Sequence, residues 1–412
     1  MQKTVRLLTL LVALLGSACS TQRADVTPPY SPLILISIDG FRADYLQRGV
    51  TPHLQALAAD GVRATFLRPS FPTLTFPNHY TLVTGLYPDH HGIVHNRFVD
   101  PETKKAFNYK DQTAIADPAW WRGEPLWVSV EKQGKHAATM FWPGSDVAID
   151  GVRPEIWSGF DGNVTLDARV DRVLSWLDLP RDRRPDFITL YLESLDHAGH
   201  DHGPDSDDVT RALADIDTVI GHLINGLKTR RSFVTANIVI VSDHGMTPAG
   251  EDRIVTLDDV VDIANVDVIN TGVLAGVAAK PGREHAVEIA LLRPQKHMRC
   301  WRKSEIPARF HYGTNARIPP YVCLADGGWL INTRDYLNGP TRHISHGEHG
   351  YDNDDPNMRA LFIAHGPAFK RGLIVPAFDN VDVYPLLARI LGIPAQPNDG
   401  NFSNVRAMLA RP

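Results

Sequence analysis

The sequence predicts an α/β fold, a mostly parallel central sheet flanked by helices, and three observations lead there. Leu33–Ile38, Phe187–Leu192 and Asn237–Val241 are near-continuous apolar runs rather than alternating ones, the pattern of strands buried on both faces. Helical periods lie between them, and the clearest runs through Val209, Leu213, Ile216, Ile220, Leu223 and Leu227. Each run is followed within a few residues by an aspartate, Asp39, Asp196 or Asp243. In open α/β sheets ligands bind beyond the carboxyl ends of the strands, so three residues distant in sequence are expected to converge.

Taken in order, residues 1–20 read as a secretory signal. Lys3 and Arg6 precede an apolar run from Leu7 to Leu15, and small residues follow up to Ser20. The run is too short for a spanning helix. Leu-Gly-Ser-Ala-Cys resembles a bacterial lipobox, with Gly16 where leucine is usual, so Cys19 is either a lipid anchor or part of a simple export signal. Both readings imply a bacterial exported protein, in the periplasm or anchored to the outer membrane. Residues 21–32, with Pro28, Pro29 and Pro32, read as a linker. Segments 33–253 and 331–408 carry the strand and helix alternation of a catalytic domain. A fourth apolar run, Ala360–Ala364, and a helix from Val383 to Leu391 fall in the second of these. Residues 254–330 interrupt that alternation and read as a small α/β insertion, with a helix over Glu284–Leu292.

Composition excludes several classes. The chain has 412 residues, 43% apolar and 22% charged, with a net charge of −5, which excludes disordered, collagenous and coiled-coil classes. Removing residues 1–20 takes away two cations and no acid, so the charge becomes −7. Mild acidity and a mean hydropathy of −0.18 argue against a stable nucleic-acid partner and against a multispan membrane protein. Three cysteines are too few for a disulfide scaffold, but Cys300 and Cys323 would pair in an oxidising compartment.

The densest chemistry lies in Phe71–Gly92. Pro77 suits a first helical turn and Gly85 a helix stop, so Thr75 falls at or just before a helix N-terminus, where free N–H groups and the dipole favour a phosphoryl group. A threonine there is ordinarily only a cap, and it becomes a nucleophile when a nearby metal lowers its pKa. Asp196 and His200 at i, i+4, the pair Asp243-His244, and the cluster His343, His346 and His349 supply mixed oxygen and imidazole donors suited to catalytic zinc.

These stretches also carry a family resemblance. Thr73-Leu74-Thr75-Phe76-Pro77-Asn78-His79-Tyr80, Asp196-His197-Ala198-Gly199-His200, Ser242-Asp243-His244-Gly245-Met246 and Gly347-Glu348-His349-Gly350-Tyr351 closely resemble the nucleotide pyrophosphatase/phosphodiesterase family of the alkaline phosphatase superfamily. The resemblance implies an alkaline-phosphatase-like fold and two Zn2+. One zinc would be held by Asp39, Asp243 and His244 with the Thr75 oxygen, the other by Asp196, His200 and His349. Thr75 would be the nucleophile of a phosphothreonine intermediate, and Asn96 would donate to a phosphate oxygen. Phe76, with Phe160 as candidate opposite wall, would stack a nucleobase of a small phosphodiester substrate releasing nucleoside 5′-monophosphate. Phe160 reads equally well as core packing.

Charge favours a diester, because a monoester dianion asks for an extra cation and the arginine adjoining the Thr75 motif is Arg68, seven residues away. A choline-type phospholipid headgroup phosphodiesterase and a phosphonoacetate hydrolase remain alternatives. A sulfatase is excluded by the missing Cys/Ser-x-Pro-x-Arg motif. A zinc-binding periplasmic lipoprotein would need neither Thr75 nor Asn96. Oligomeric state is not legible in the sequence.

Overall fold

The computed structural model describes residues 30–411, so the expected export segment and Cys19 lie outside them. Leu33–Ile38 (β1), six fully buried residues, is an interior strand of a seven-stranded sheet. The others are Val62–Ala64 (β2), Ala137–Met140 (β3), Phe187–Leu192 (β4), Asn237–Val241 (β5), Phe362–His365 (β6) and Leu373–Val375 (β7). Their order across the sheet is β7-β2-β6-β5-β1-β4-β3.

β1 runs parallel to both β4 and β5, and β3 is parallel to β4. The fourth apolar run departs from that pattern, because β6 lies antiparallel between β5 and β2. An apolar run reports burial and not direction, which the connecting segments decide. Register then aligns the strand ends: Ile38 pairs with Leu192 and Ser37 with Val241. The residues that follow these strands therefore emerge on the same edge of the sheet.

Helices cover the sheet: Pro52–Asp60 (α1), Thr75–Thr84 (α2), Leu166–Trp176 (α3), Ser194–His202 (α4), Asp207–Thr229 (α5) and Val383–Leu391 (α6). α5 starts at Ser206, whose hydroxyl accepts from the Val209 N–H at 3.2 Å, and its apolar stripe from Val209 to Leu227 is buried as the sequence period requires. None of the helices among the described residues is long and apolar enough to cross a membrane.

Within 254–330, Val266–Asn270, Leu274–Ala279, Tyr321–Ala325 and Met298–Arg302 make a four-stranded antiparallel sheet, in that order, with Glu284–Leu292 as its helix. Ile254–Thr256 pairs in parallel with Leu330–Asn332 and closes the base of the segment. Cys300 and Cys323 sit opposite each other on paired strands and are joined by a disulfide.

That bond spans 23 residues, and closing such a loop contributes about 3 kcal/mol by the chain-entropy argument. Reduction is therefore expected to lower the urea midpoint of the segment; equal midpoints with and without reductant would contradict a stabilising role.

Candidate active site

The three aspartates meet at the shared strand edge. Asp39 directly follows β1, Asp243 lies two residues past β5, and Asp196 sits in the first turn of α4. All three are buried. Gly40 makes the approach possible: its φ is 68°, and a Cβ there would come within 3.1 Å of Asp196 Oδ1. Its N–H donates to Asp243 Oδ1 at 3.2 Å, and the Tyr191 hydroxyl donates to Asp39 Oδ2 at 2.5 Å.

Three histidines complete the set, all turned the same way. His200 Nδ1 donates to Gly347 O at 2.8 Å, His244 Nδ1 to Gly245 O at 2.9 Å, and His349 Nδ1 to Thr73 O at 2.9 Å. A carbonyl only accepts, so each Nδ1 carries the proton and each Nε2 lone pair faces inward, the usual device for orienting a metal ligand. His200 Nε2 lies 3.5 Å and His349 Nε2 3.7 Å from the Asp196 carboxylate. His244 Nε2 is 2.9 Å from Asp243 Oδ2 and 3.4 Å from Asp39 Oδ1, and its ring stacks on His349 at 3.5 Å.

These donors fit a metal. Asp39 Oδ1, Asp196 Oδ1 and Asp243 Oδ2 are buried without a hydrogen-bond donor, which is costly unless a cation meets them. Asp196, His200 and His349 can share one ion. Asp39 falls into two further candidate groups, one with Asp196 and His244, the other with Asp243 and His79. His79 is better read as a support: its Nδ1 donates to Thr75 O at 2.9 Å, and its Nε2 meets the Ser37 hydroxyl at 2.8 Å.

Charge follows this crowding. Burial, with the charges of Asp243 and Asp196 adding to it, raises the Asp39 carboxyl well above its usual range. Burial acts the same way on Asp243, but His244 and His79 outweigh it and hold that carboxyl well below the usual range. Burial also works against a charged His244, yet Asp243 raises it. The two carboxyls thus move in opposite directions because Asp39 faces like charge while Asp243 faces two imidazoles.

Thr75 opens α2 as its first helical residue, with Leu74 in the cap position, so its hydroxyl is not spent on capping. Thr75 Oγ1 instead faces His244 Nε2 at 3.3 Å. Gly85, with φ 67°, stops the helix by donating its N–H to Thr81 O at 2.8 Å. Asn96 Oδ1 accepts from the Phe76 N–H at 3.0 Å, which leaves the Nδ2 donors for a ligand.

Above these groups lies a cavity of about 670 Å³, lined among others by Asp39, Thr75, Phe76, Asn96, Phe160, Asp196, His200 and His349. Asp243 and His244 lie fully buried beneath it. Phe160 is 42% exposed at the wall and so is not core; its ring packs against Phe141 at 5.3 Å and Tyr191 at 6.0 Å. Arg68 is elsewhere, paired with Asp379 at 2.9 Å. The cavity does hold cations, Arg97 beside Asn96 and Lys110, so the charge argument for a diester loses weight.

The model of the type I phosphodiesterase/nucleotide pyrophosphatase family matches residues 33–352. The chain belongs to that family. It is 42% identical to an uncharacterized pyrophosphatase/phosphodiesterase of Schizosaccharomyces pombe, over 90% of this chain and 79% of that protein. It is 38% identical to the bis(5′-adenosyl)-triphosphatase enpp4 of Xenopus laevis, over 97% of this chain and 86% of that one. It is also 38% identical to bovine ectonucleotide pyrophosphatase/phosphodiesterase family member 3, of which it spans only 46%. Among solved structures, an inactive threonine-to-alanine form of murine ectonucleotide pyrophosphatase/phosphodiesterase 5 in complex with AMP superposes with a TM-score of 0.87 at 34% identity, covering 92% of this chain and 100% of that one. These relatives are eukaryotic. The fold is alkaline-phosphatase-like, and the chain is an enzyme of the nucleotide pyrophosphatase/phosphodiesterase class.

The site has members to which the sequence reading assigns no role. Tyr191 bonds Asp39 from within β4, Tyr109 lines the cavity beside Phe76 at 5.8 Å, and Glu348 lies 3.8 Å from His200 Nδ1. Buried Arg169 makes a two-pronged ion pair with Glu193 and lies 5.7 Å from the Phe160 ring. Tyr191 and Arg169 belong to a buried strand and a helix face, where sequence patterning reads them as packing. Glu348 sits inside the Gly-x-His-Gly stretch, where its place beside His349 is the signal that could find it.

Burial also holds two nearby imidazoles down, His91 to about 3 and His95 to about 4, against the ordinary 6.5. In that window the unfolded chain binds protons that the folded one refuses, so their contribution to stability is complete above 6.5 and is lost as pH falls toward those values. Their ring resonances in NMR are expected to show no protonation step between about pH 7.5 and 5, where a free imidazole of ordinary pKa titrates. A step near the ordinary value would contradict this.

Proposed function

We propose that the chain is a two-zinc hydrolase that cleaves nucleotide phosphodiester or phosphoanhydride bonds, releasing nucleoside 5′-monophosphate through a phosphothreonine at Thr75. The observation that carries the proposal is the uncapped Thr75 hydroxyl beside a ring of six inward-turned Asp and His donors, with the Asn96 amide nitrogen open to the same cavity.

Asp39, Asp243 and His244 would hold one ion next to Thr75, and Asp196, His200 and His349 the other. Bound there, the cations would supply Lewis acidity that favours the ionised hydroxyl and offsets charge on the departing oxygen. Thr75 Oγ, having released its proton, bonds to phosphorus as the bond to the leaving oxygen breaks, and that oxygen takes up a proton. Water then cleaves the Thr75–phosphate ester from the opposite side, restoring the hydroxyl and freeing the monophosphate. Asn96 Nδ2 and the Thr75 N–H, which has no partner within the helix, donate to the non-bridging oxygens.

Phe76 and Phe160 would enclose the base, with Arg169 beneath Phe160. The AMP bound to the murine relative and the bis(5′-adenosyl) triphosphate of the Xenopus enzyme's name support a nucleotide over a choline headgroup or phosphonoacetate. The sequence of residues 1–20 and the Cys300–Cys323 disulfide support export, and the lipobox-like Leu-Gly-Ser-Ala-Cys supports a bacterial cell as its origin. Mass spectrometry of the mature N-terminus distinguishes a lipid on Cys19 from simple cleavage.

Purified protein with zinc is expected to hydrolyse p-nitrophenyl thymidine monophosphate and to release AMP from bis(5′-adenosyl) triphosphate, in preference to glycerophosphocholine and phosphonoacetate. Chelation should remove activity and zinc restore it; activity that survives exhaustive chelation counts against the metal centre. Thr75→Ala should lose turnover and the trapped phosphoenzyme, and full activity in that variant would sink the covalent route. Phe160→Ala should raise KM by the equivalent of about 1–3 kcal/mol of lost stacking, with kcat little changed. An unaltered KM would remove Phe160 from the base site.

A further inference from the structure

In the stretch Gly92–Arg97 that carries Asn96, three backbone carbonyls accept hydrogen bonds from side chains of the inserted segment 254–330. The Arg317 guanidinium donates to Gly92 O at 2.9 Å, the Tyr312 hydroxyl to Val94 O at 3.1 Å, and Asn270 Nδ2 to Arg97 O at 3.1 Å. These three residues are buried. His95 accepts from the Arg97 N–H through Nδ1 at 3.0 Å and turns its other nitrogen toward the Leu274 carbonyl. Every one of these partners comes from between Asn270 and Arg317.

Arg317 is locked in turn. Its guanidinium also donates to Asp100 Oδ2 at 3.0 Å, Trp120 O at 2.8 Å and Ala119 O at 2.8 Å. Gly92 leaves room for it, since a Cβ there would lie 2.7 Å from the Arg317 Nη1. The Asn96 carbonyl accepts from the Tyr109 N–H at 3.0 Å in the adjoining hairpin, where Arg97 pairs with Asn108. With the backbone pinned on both sides of Asn96 and its Oδ1 on the Phe76 N–H, the amide nitrogen has one direction left, into the cavity.

We infer that Asn270 and Tyr312 are positioning residues: they act through Asn96, and the inserted segment thereby sets the geometry of phosphate stabilisation. This rests on the role proposed for Asn96. Ile93 and Val94 anchor the start of the stretch in the core, while the backbone at Val94 and Arg97, on either side of the Asn96 donor, is fixed by the Tyr312 and Asn270 contacts. Small displacements of such a donor are felt in the transition state more than in substrate binding, because charge on the non-bridging oxygens and their spread change most there.

The test is a double-mutant cycle on zinc-loaded enzyme with p-nitrophenyl thymidine monophosphate. Tyr312→Phe removes one hydroxyl and keeps the ring, and Asn270→Ala removes the second contact. Each is expected to lower kcat by about 10-fold, within the range a misplaced catalytic group produces, while KM, the pH profile and zinc content hold. Asn96→Ala is expected to lower kcat by about 100-fold, and adding Tyr312→Phe or Asn270→Ala to it should change kcat by less than about twofold. A second substitution that costs its full factor in the Asn96→Ala background would overturn the inference while leaving the role of Asn96 standing. An Asn96→Ala enzyme with full activity would overturn both. Thermal midpoints recorded on every variant separate a loosened fold, which would lower rates equally in both backgrounds, from the coupled loss expected here.

Discussion

Asp39, Asp196 and Asp243 are withdrawn from water within one small site, and the rest of the architecture answers that concentration of negative charge. Moving a carboxylate into a protein interior costs several kcal/mol even after relaxation, and like charges close together add to it. The chain meets part of this demand itself. Tyr191 donates to Asp39, the Gly40 N–H to Asp243, and three imidazoles stand against the carboxylates. The oxygens left without donors mark where protein groups run out and a cation fits.

Such a site needs a stiff frame. The parallel pairing of β1 with β4 and β5 sets three aspartates at one edge, and a one-residue slip of register would turn side chains to the opposite faces. Each of the three site histidines is tied through Nδ1 to a backbone carbonyl, so ring orientation is a property of the fold and not of the side chain. Thr75 has a different freedom, because the helix begins without using its hydroxyl and the Oγ1 is left to the chemistry.

Around the charged floor the cavity changes character. Phe76 and Phe160 stand on its walls, with Tyr109 against Phe76. The Arg169–Glu193 pair is buried next to Phe160, where a charge could not remain without its partner. Arg97 and Lys110 near Tyr109 supply positive charge on the side that bears Asn96. A phosphate ester thus meets donors and cations at one end and apolar rings at the other.

The sequence by itself determined the buried strands, the helix periods, the threonine at a helix start and six donors flanking strand ends. These are local matters, since periodicity reports burial and motif spacing reports which donors share a turn. Only the tertiary structure decided the antiparallel course of β6, the tautomers that aim Nε2 inward, the direction of the Asn96 amide, and the presence of Tyr191, Tyr109 and Arg97 at the site. Each depends on contacts between residues far apart in sequence, such as Tyr312 with Val94 or His349 with Thr73. Strand order and loop paths create those contacts, and no local pattern of apolar and polar residues encodes them.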